Sequence, residues 1–311
     1  MFRSRRYRVD NEQVVLILTI LLVLAVIILS STVTFCASGV FIILMFALSA
    51  WMTRAHHQSL LRNAYPLNPV QMPKLAAEVE KCAQKLQPGP VDVFIARQNQ
   101  MNAYTFGIDS PKVLVVYSPM LQVMNPGELR FIVGHEMGHV ALGHTWLNTI
   151  LGGMAGIPAP FGAAVLLYAA FRWWNRMCEF SSDRAGLLAC GDLNLAISAM
   201  VKLAAPEVRS QVEFEKAFAM IDAQDDSMSN RLAEVFQTHP MLIRRINKLR
   251  EYVRTQEYQV MQAGVNRNVG KPKPAKVKHE QAYIARERGA DKPDKPQKPP
   301  EERWPWLKPK E

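Results

Sequence analysis

Charge disappears from the chain between Val14 and Met52, and apolar residues fill that stretch. It is far longer than the roughly 7 to 15 apolar residues of a signal peptide and suits two membrane crossings of roughly 17 to 20 residues each. The natural division falls near Ser30-Ser31-Thr32. A second uncharged stretch runs from Thr145 to Phe171, too short for two full crossings at about 20 residues each. Gly152-Gly153 and the Gly156-Ile157-Pro158-Ala159-Pro160-Phe161-Gly162 segment supply a turn there. A short helical hairpin follows, either dipping into a bilayer, roofing a cleft, or packing away from lipid altogether.

The remaining pattern is mixed. Residues 74–87 read as an amphipathic helix, Val91 to Ala96 and Val113 to Tyr117 as strands, and 193–260 as helices. The expected architecture is mainly α with one small β-sheet. Its boundaries are a basic segment at 1–13, two spans at 14–52, a linker at 53–73, a domain at 74–262 holding the 145–171 hairpin, and a tail at 263–311.

Charge orients these parts. Arg3, Arg5, Arg6 and Arg8 precede the first span and Arg54 and Arg62 follow the second, while the turn between them is uncharged. Both ends of the hairpin should therefore face the cytoplasm, with the catalytic domain on that side. Phe35 before Cys36, inside a continuing apolar run, argues against a lipoprotein. Cys82, Cys178 and Cys190 lack disulfide-like spacing, in keeping with a reducing compartment. From Val265 onward the chain holds 8 prolines and 13 basic against 7 acidic residues, out of a net charge of +10 for the whole. That composition predicts a disordered tail attracted to anionic lipid headgroups; without interleaved aromatics or a folded motif, no nucleic-acid partner is expected. Trp304-Pro305-Trp306 suits an interfacial anchor, a docking peptide or a solvated end. His56, His57 and His279 have no partner at metal-ligand spacing.

The chemistry lies in His135-Glu136-Met137-Gly138-His139. Histidines four apart share one helix face and can offer two imidazole nitrogens to a tetrahedral zinc. Glu136, about 100° further round the helix, reaches towards a water rather than the metal, as a general base must. Asn125-Pro126-Gly127-Glu128 reads as a cap, a proline at the first helical position and an acid at the third, so the motif sits inside a well-started helix. Two core histidines bonded to backbone carbonyls would leave Glu136 beside them without purpose, which burial habits disfavour.

A third protein ligand is needed. His144, nine residues after His135, falls on the opposite face unless the helix breaks first. Leu142 and Thr145 stand where a metzincin would have glycine and histidine. Glu179 is the better candidate, on a predicted helix from Arg176 to Cys190 that puts Asp183 one turn later on the same face. Asp183 would accept the free ring N–H of a ligating histidine and set its tautomer. Cys178, one residue from Glu179, is turned away by about 100°.

These residues resemble the membrane-associated zinc metallopeptidases typified by HtpX and by the type I CAAX prenyl protease. Four elements carry the likeness: His135-Glu136-Met137-Gly138-His139, Glu179 with Asp183, Asn102-Ala103-Tyr104-Thr105-Phe106-Gly107, and His239-Pro240 with Arg245 and Ile246. The resemblance covers roughly residues 70–255 and implies a zincin-type domain behind a transmembrane hairpin, in a bacterial inner membrane. It also implies that Asn102, Ala103 and Tyr104 pair with extended substrate, and that His239 and Arg245 bind substrate or steady the transition state. Tyr104 replaces the family's usual Phe. Gly186 stands where the family often has Ala, and either small residue suits close helix packing. Relatives commonly carry two full spans where this chain has the shorter 145–171 stretch.

The combined reading is a zinc endopeptidase with one Zn2+ held by His135, His139 and Glu179, and with Glu136 as general base. A substrate strand adding at Asn102 to Phe106 would bring broad sequence tolerance. The substrates are proteins or peptides, membrane-associated or misfolded, met at the bilayer. The alternatives are a membrane scaffold keeping the zinc fold without catalysis, and a processing protease with one narrow substrate, such as a lipidated protein tail.

Overall fold

The computed structural model describes residues 7–33, 37–108, 110–151, 162–204 and 240–269. Among them the order is α1 (Glu12–Val33), α2 (Ala37–Arg62), β1 (Ala64–Pro66), α3 (Pro73–Leu86), β2 (Val91–Ala96), β3 (Ala103–Phe106) and β4 (Lys112–Tyr117). There follow α4 (Met120–Val123), α5 (Pro126–Leu142), α6 (Thr145–Leu151), α7 (Gly162–Cys190), α8 (Leu193–Ala204), α9 (Pro240–Val253) and α10 (Gln256–Asn266). The domain is mainly helical with one four-stranded sheet.

Helix α5 is the axis of the domain. It opens with a complete capping box: the Asn125 side chain accepts from the Glu128 backbone N–H at 3.0 Å, and Glu128 Oε2 accepts from the Asn125 N–H at 2.8 Å. Pro126 takes the first helical position, where its missing N–H has no intrahelical partner to lose. Lys202 of α8 pairs with Glu128 at 2.8 Å, and Arg130 and Lys81 pair with Glu78 of α3, so both flanking helices are tied to α5 by charge as well as by packing. Apolar residues from all sides close on it, among them Phe131, Ile132, Val133 and Met137 from α5, Leu187 and Leu188 from α7, and Ile197 from α8.

The α5–α7 crossing is close enough to require glycine. A Cβ added at Gly138 would lie 2.6 Å from Ala185 Cβ, and one at Gly134 would lie 2.5 Å from Ala189 Cβ. Gly186 corrects a sequence expectation. An added Cβ there would sit 2.8 Å from the Phe131 carbonyl oxygen, so at this crossing alanine is not an equivalent small residue.

The sheet has the order β1-β2-β4-β3, with β2 parallel to β4 and both outer pairings antiparallel. β3 forms one edge, paired to β4 alone with Tyr104 opposite Val115. Both faces of the sheet are covered: Leu114 and Val116 join the main core, while Val115 packs in a separate cluster with Leu60, Ala96 and Phe106. The 53–73 segment, expected as a linker, carries the end of α2 and all of β1.

Helix α1 continues through Ser30-Ser31-Thr32 to Val33, so the expected turn is not at those residues. Its inner side packs on α7, where Val15 meets Leu147, Phe171, Trp174 and Cys178, and Thr19 Oγ1 hydrogen-bonds the Val15 carbonyl. Its outer side, with Ile17, Leu21, Leu24, Ile28 and Leu29, is exposed, as are Leu44, Leu48 and Trp51 of α2. Among the described residues no helix is long and apolar enough to cross a membrane. The expected hairpin turn at 152–161, and His239, His279 and Trp304-Pro305-Trp306, lie outside the described residues. So does 270–311, but the expected tail boundary moves. α10 runs to Asn266, Val265 is fully buried, and the Asn268 side chain donates to the Lys85 carbonyl at 3.1 Å.

Candidate active site

His135 projects from the middle of α5, His139 from its last turn and Glu179 from α7, into a cleft of about 440 Å³. His135 Nε2 and His139 Nε2 stand 3.2 Å apart. The Glu179 carboxylate lies 3.6 Å from the first and 3.5 Å from the second. A tetrahedral ion with bonds of about 2.0 to 2.1 Å separates its ligands by roughly 3.3 Å, so the three donors fit such an ion. The outer hydrogen bonds support the same conclusion. Asp183 Oδ1 lies 2.9 Å from His135 Nδ1, which places the ring proton on Nδ1 and leaves the Nε2 lone pair pointing at its neighbour. Two facing lone pairs and a carboxylate repel one another, and a cation between them removes that repulsion.

Arg245, from α9, closes the acidic side. Its Nε and Nη2 donate to Asp183 at 2.8 and 2.7 Å, and Nη1 pairs with Glu179 at 3.1 Å. Burial opposes ionisation of both carboxylates, yet the Arg245 charge and the histidine hydrogen bonds outweigh it and hold both below the usual carboxylate range. Burial also opposes a charged His135; the Asp183 hydrogen bond and charge overcome it and push the ring's pKa up.

Glu136 points into the same cleft. Burial pushes its carboxyl up from the ordinary value, and Thr105 Oγ1 donates to its Oε2 at 3.1 Å. Thr105 belongs to edge strand β3, as do Ala103 and Tyr104, and with Asn102 all three line the cleft beside Glu136. Apolar residues complete the lining: Phe131, Ile132, Met200, Leu203, Met241 and Leu242.

The structure thus gathers Asn102, Ala103, Tyr104, His135, Glu136, His139, Glu179 and Arg245 round one cavity, with Asp183 behind His135. Arg245 touches the carboxylates as well as the cleft. Cys178 faces the α1 side, buried with Val15 and Trp174. Two partners were not legible. Thr105 lies within the quoted Asn102 segment, but its contact with Glu136 depends on how strand and helix meet. His144 is the larger omission. α5 stops at Leu142, Gly143 turns with φ 78°, and His144 comes back to put its Nδ1 3.0 Å from His139 Nδ1.

Two facing histidines, a convergent carboxylate, a buried glutamate and an edge strand along one cleft define a metallopeptidase centre on a helical domain. The model of peptidase family M48 matches residues 69–253, and the chain belongs to that family. The metal its members use is zinc. The chain is similar to plastoglobule-localized metallopeptidase 48 of Arabidopsis thaliana, 27% identical over 213 residues, covering 63% of this chain and 62% of that protein. It is also similar to protease HtpX of Acinetobacter baumannii, 28% identical over 215 residues, covering 57% of this chain and 70% of that one. The protease HtpX homolog of Ralstonia pickettii is 26% identical over 263 residues, covering 71% of this chain and 90% of its own. The chain therefore spans less than two thirds of the plant relative's length.

Proposed function

We propose that this protein is a membrane-anchored zinc endopeptidase that cleaves extended segments of membrane-associated or misfolded proteins. The observation that carries the reading is the convergence of His135, His139 and Glu179 beside a buried Glu136 and an edge strand. One zinc per chain, held by those three residues, would supply Lewis-acid polarisation of the scissile carbonyl and would acidify water towards a pKa of about 7.

The chain's own residues do the rest. β3 receives the substrate as an added strand, so backbone hydrogen bonds provide affinity and sequence tolerance is broad. The apolar lining of the cleft takes the substrate's side chains. Glu136 removes the proton from the attacking water and returns it to the leaving amine. Its burial suits the first transfer, because a carboxylate with a raised pKa is a stronger base towards the water's proton. Thr105 holds the carboxylate in place from the strand side. The Arg245 guanidinium keeps Glu179 and Asp183 ionised, and its charge at the cleft favours the developing oxyanion; by the family resemblance His239 assists it.

Anchoring rests on the uncharged run Val14 to Met52 and on the exposed apolar sides of α1 and α2. The flanking arginines favour a cytoplasmic catalytic domain. Trypsin added to sealed inside-out vesicles should then degrade the domain, and protection there would reverse the orientation.

The activity test uses the full chain purified in detergent, with its Glu136→Gln variant. We expect about one zinc per chain in both, with casein cleavage lowered in the variant by roughly 10² to 10⁴-fold and abolished by a chelator. Folded protein without zinc would sink the proposal.

A further inference from the structure

We propose that Glu12 and His144 form a support that fixes His139 as a metal ligand, making the start of the first apolar helix part of the metal centre. This rests on the reading of His135, His139 and Glu179 as zinc ligands.

Glu12 is fully buried at the start of α1, and His144 is 2% exposed. His144 Nε2 lies 2.9 Å from Glu12 Oε1, and His144 Nδ1 lies 3.0 Å from His139 Nδ1. Only one arrangement of protons satisfies this chain when a cation is bound. The carboxylate can only accept, so His144 carries its proton on Nε2. Its Nδ1 is then an acceptor, which requires the proton of His139 on Nδ1. The Nε2 lone pair of His139 is left to face His135 and Glu179. Glu12 therefore sets the tautomer of the metal ligand through an intervening ring.

Glu12 is itself held. Arg8 Nη1 and Ser181 Oγ both donate to it, the Val9 N–H donates to Ser181 Oγ at 2.9 Å, and Arg8 Nη2 donates to the Leu142 carbonyl at 2.7 Å. The last contact caps the C-terminus of α5, where a cation also suits the helix dipole. The N-terminal arm thus grips the end of the metal-bearing helix and its outer partner together. His144 does not line the cleft, so it has no route to substrate.

A second metal ion in this place is a distinct reading, because donor atoms of Glu12, His144 and Cys178 lie within 4.8 Å of one another. The Arg8 guanidinium already occupies the Glu12 carboxylate, and an added cation would meet that charge at contact distance. The geometry favours a hydrogen-bonded support.

The test compares full-length wild type with Glu12→Gln, His144→Phe and His144→Gln in detergent. The readouts are zinc dissociation constants by chelator competition, absorption spectra of the cobalt-substituted proteins, and melting of the metal-free forms. His144→Phe leaves the His139 Nδ1–H without an acceptor and should weaken zinc roughly 10 to 100-fold with an altered cobalt spectrum. His144→Gln offers an amide oxygen and should recover part of that loss. Glu12→Gln, nearly isosteric, should fall between them, and it carries the comparison if His144→Phe does not fold.

Metal-free melting lowered in the variants, with zinc affinity and cobalt spectrum at wild-type values, would mean a structural role only and would overturn the proposal. Two zinc ions in wild type, with one lost in the variants, would overturn it in favour of the second site. A wild type that binds no zinc would remove the underlying metallopeptidase reading and this inference with it; a zinc-binding wild type with unaffected variants removes the inference alone.

Discussion

The two histidines of α5 are chemically alike, but the protein supports them in different ways. Behind His135 stands Asp183, a carboxylate in direct contact, offset by Arg245 at the edge of the cleft. Behind His139 stands a second imidazole, and only then the carboxylate of Glu12, offset by Arg8. The first assembly uses α7 and α9, and its Arg245 side chain keeps 23% of its surface exposed. The second is sealed beneath α1 and draws on residues 132 positions apart in sequence. The sealed carboxylate has no water to solvate it, so it takes three donors: Arg8, His144 and Ser181. Asp183 is buried as well, 1% exposed, and it too accepts three hydrogen bonds, two from Arg245 and one from His135. The same outer position is thus filled once by a contact 48 residues apart, from α7, and once by one 132 residues apart, from the start of α1.

Removing Asp183 should break the His135 side most severely. Asp183→Ala leaves the guanidinium with Glu179 alone, and denaturant titration should report a loss of about 3 kcal/mol, the low end for a broken buried pair. Asp183→Asn keeps the shape and should instead lower zinc affinity roughly 10 to 100-fold with a smaller stability loss. Equal affinity in wild type and Asp183→Asn would remove the distinction between direct and relayed support.

Gly138→Ala tests both sides at once, because the added methyl meets Ala185 and the Ser182 backbone at the crossing that brings α7 to α5. Overpacking there should destabilise by about 1 to 3 kcal/mol in thermal or denaturant melts. Gly143→Ala separates them. Its left-handed turn returns His144 to His139, and a side chain there costs roughly 1 to 2 kcal/mol. Zinc affinity should fall with it, since only the His139 side depends on that turn; unchanged affinity would show that the turn is not what positions His144.

The smallest effect lies outside both assemblies and serves as a control. Burial opposes ionisation of Glu78, but hydrogen bonds from Arg130 and Lys81 outweigh it and lower its pKa. A lowered folded-state pKa means stability present above the unfolded value of about 4.3 and lost as pH falls through the folded one. Wild type should exceed Glu78→Gln by about 0.5 kcal/mol near neutrality, with the gap closing below about pH 4 and zinc affinity unaffected. Melting temperatures across pH measure this directly.

What the sequence determined by itself were the short-range relations. A period of 3.6 residues places His135 with His139, and Glu179 with Asp183; Asn125-Pro126-Gly127-Glu128 starts α5; and short apolar, valine-rich runs mark β2 and β4. These follow from the backbone within a few residues and require no distant partner. The short strand β1 has too few residues to show a pattern, and α10 reached past the expected tail boundary because Val265 is buried against the rest of the domain. Tertiary structure alone decided the contacts with α1, the Thr105 bond to Glu136, the need for glycine at 186, and the place of His144 beside His139. Nine residues of ideal helix would have carried His144 to the far side of α5. A single left-handed glycine reversed that direction, and Glu12 is buried beside it because the packing of α1 on α7 brings it there.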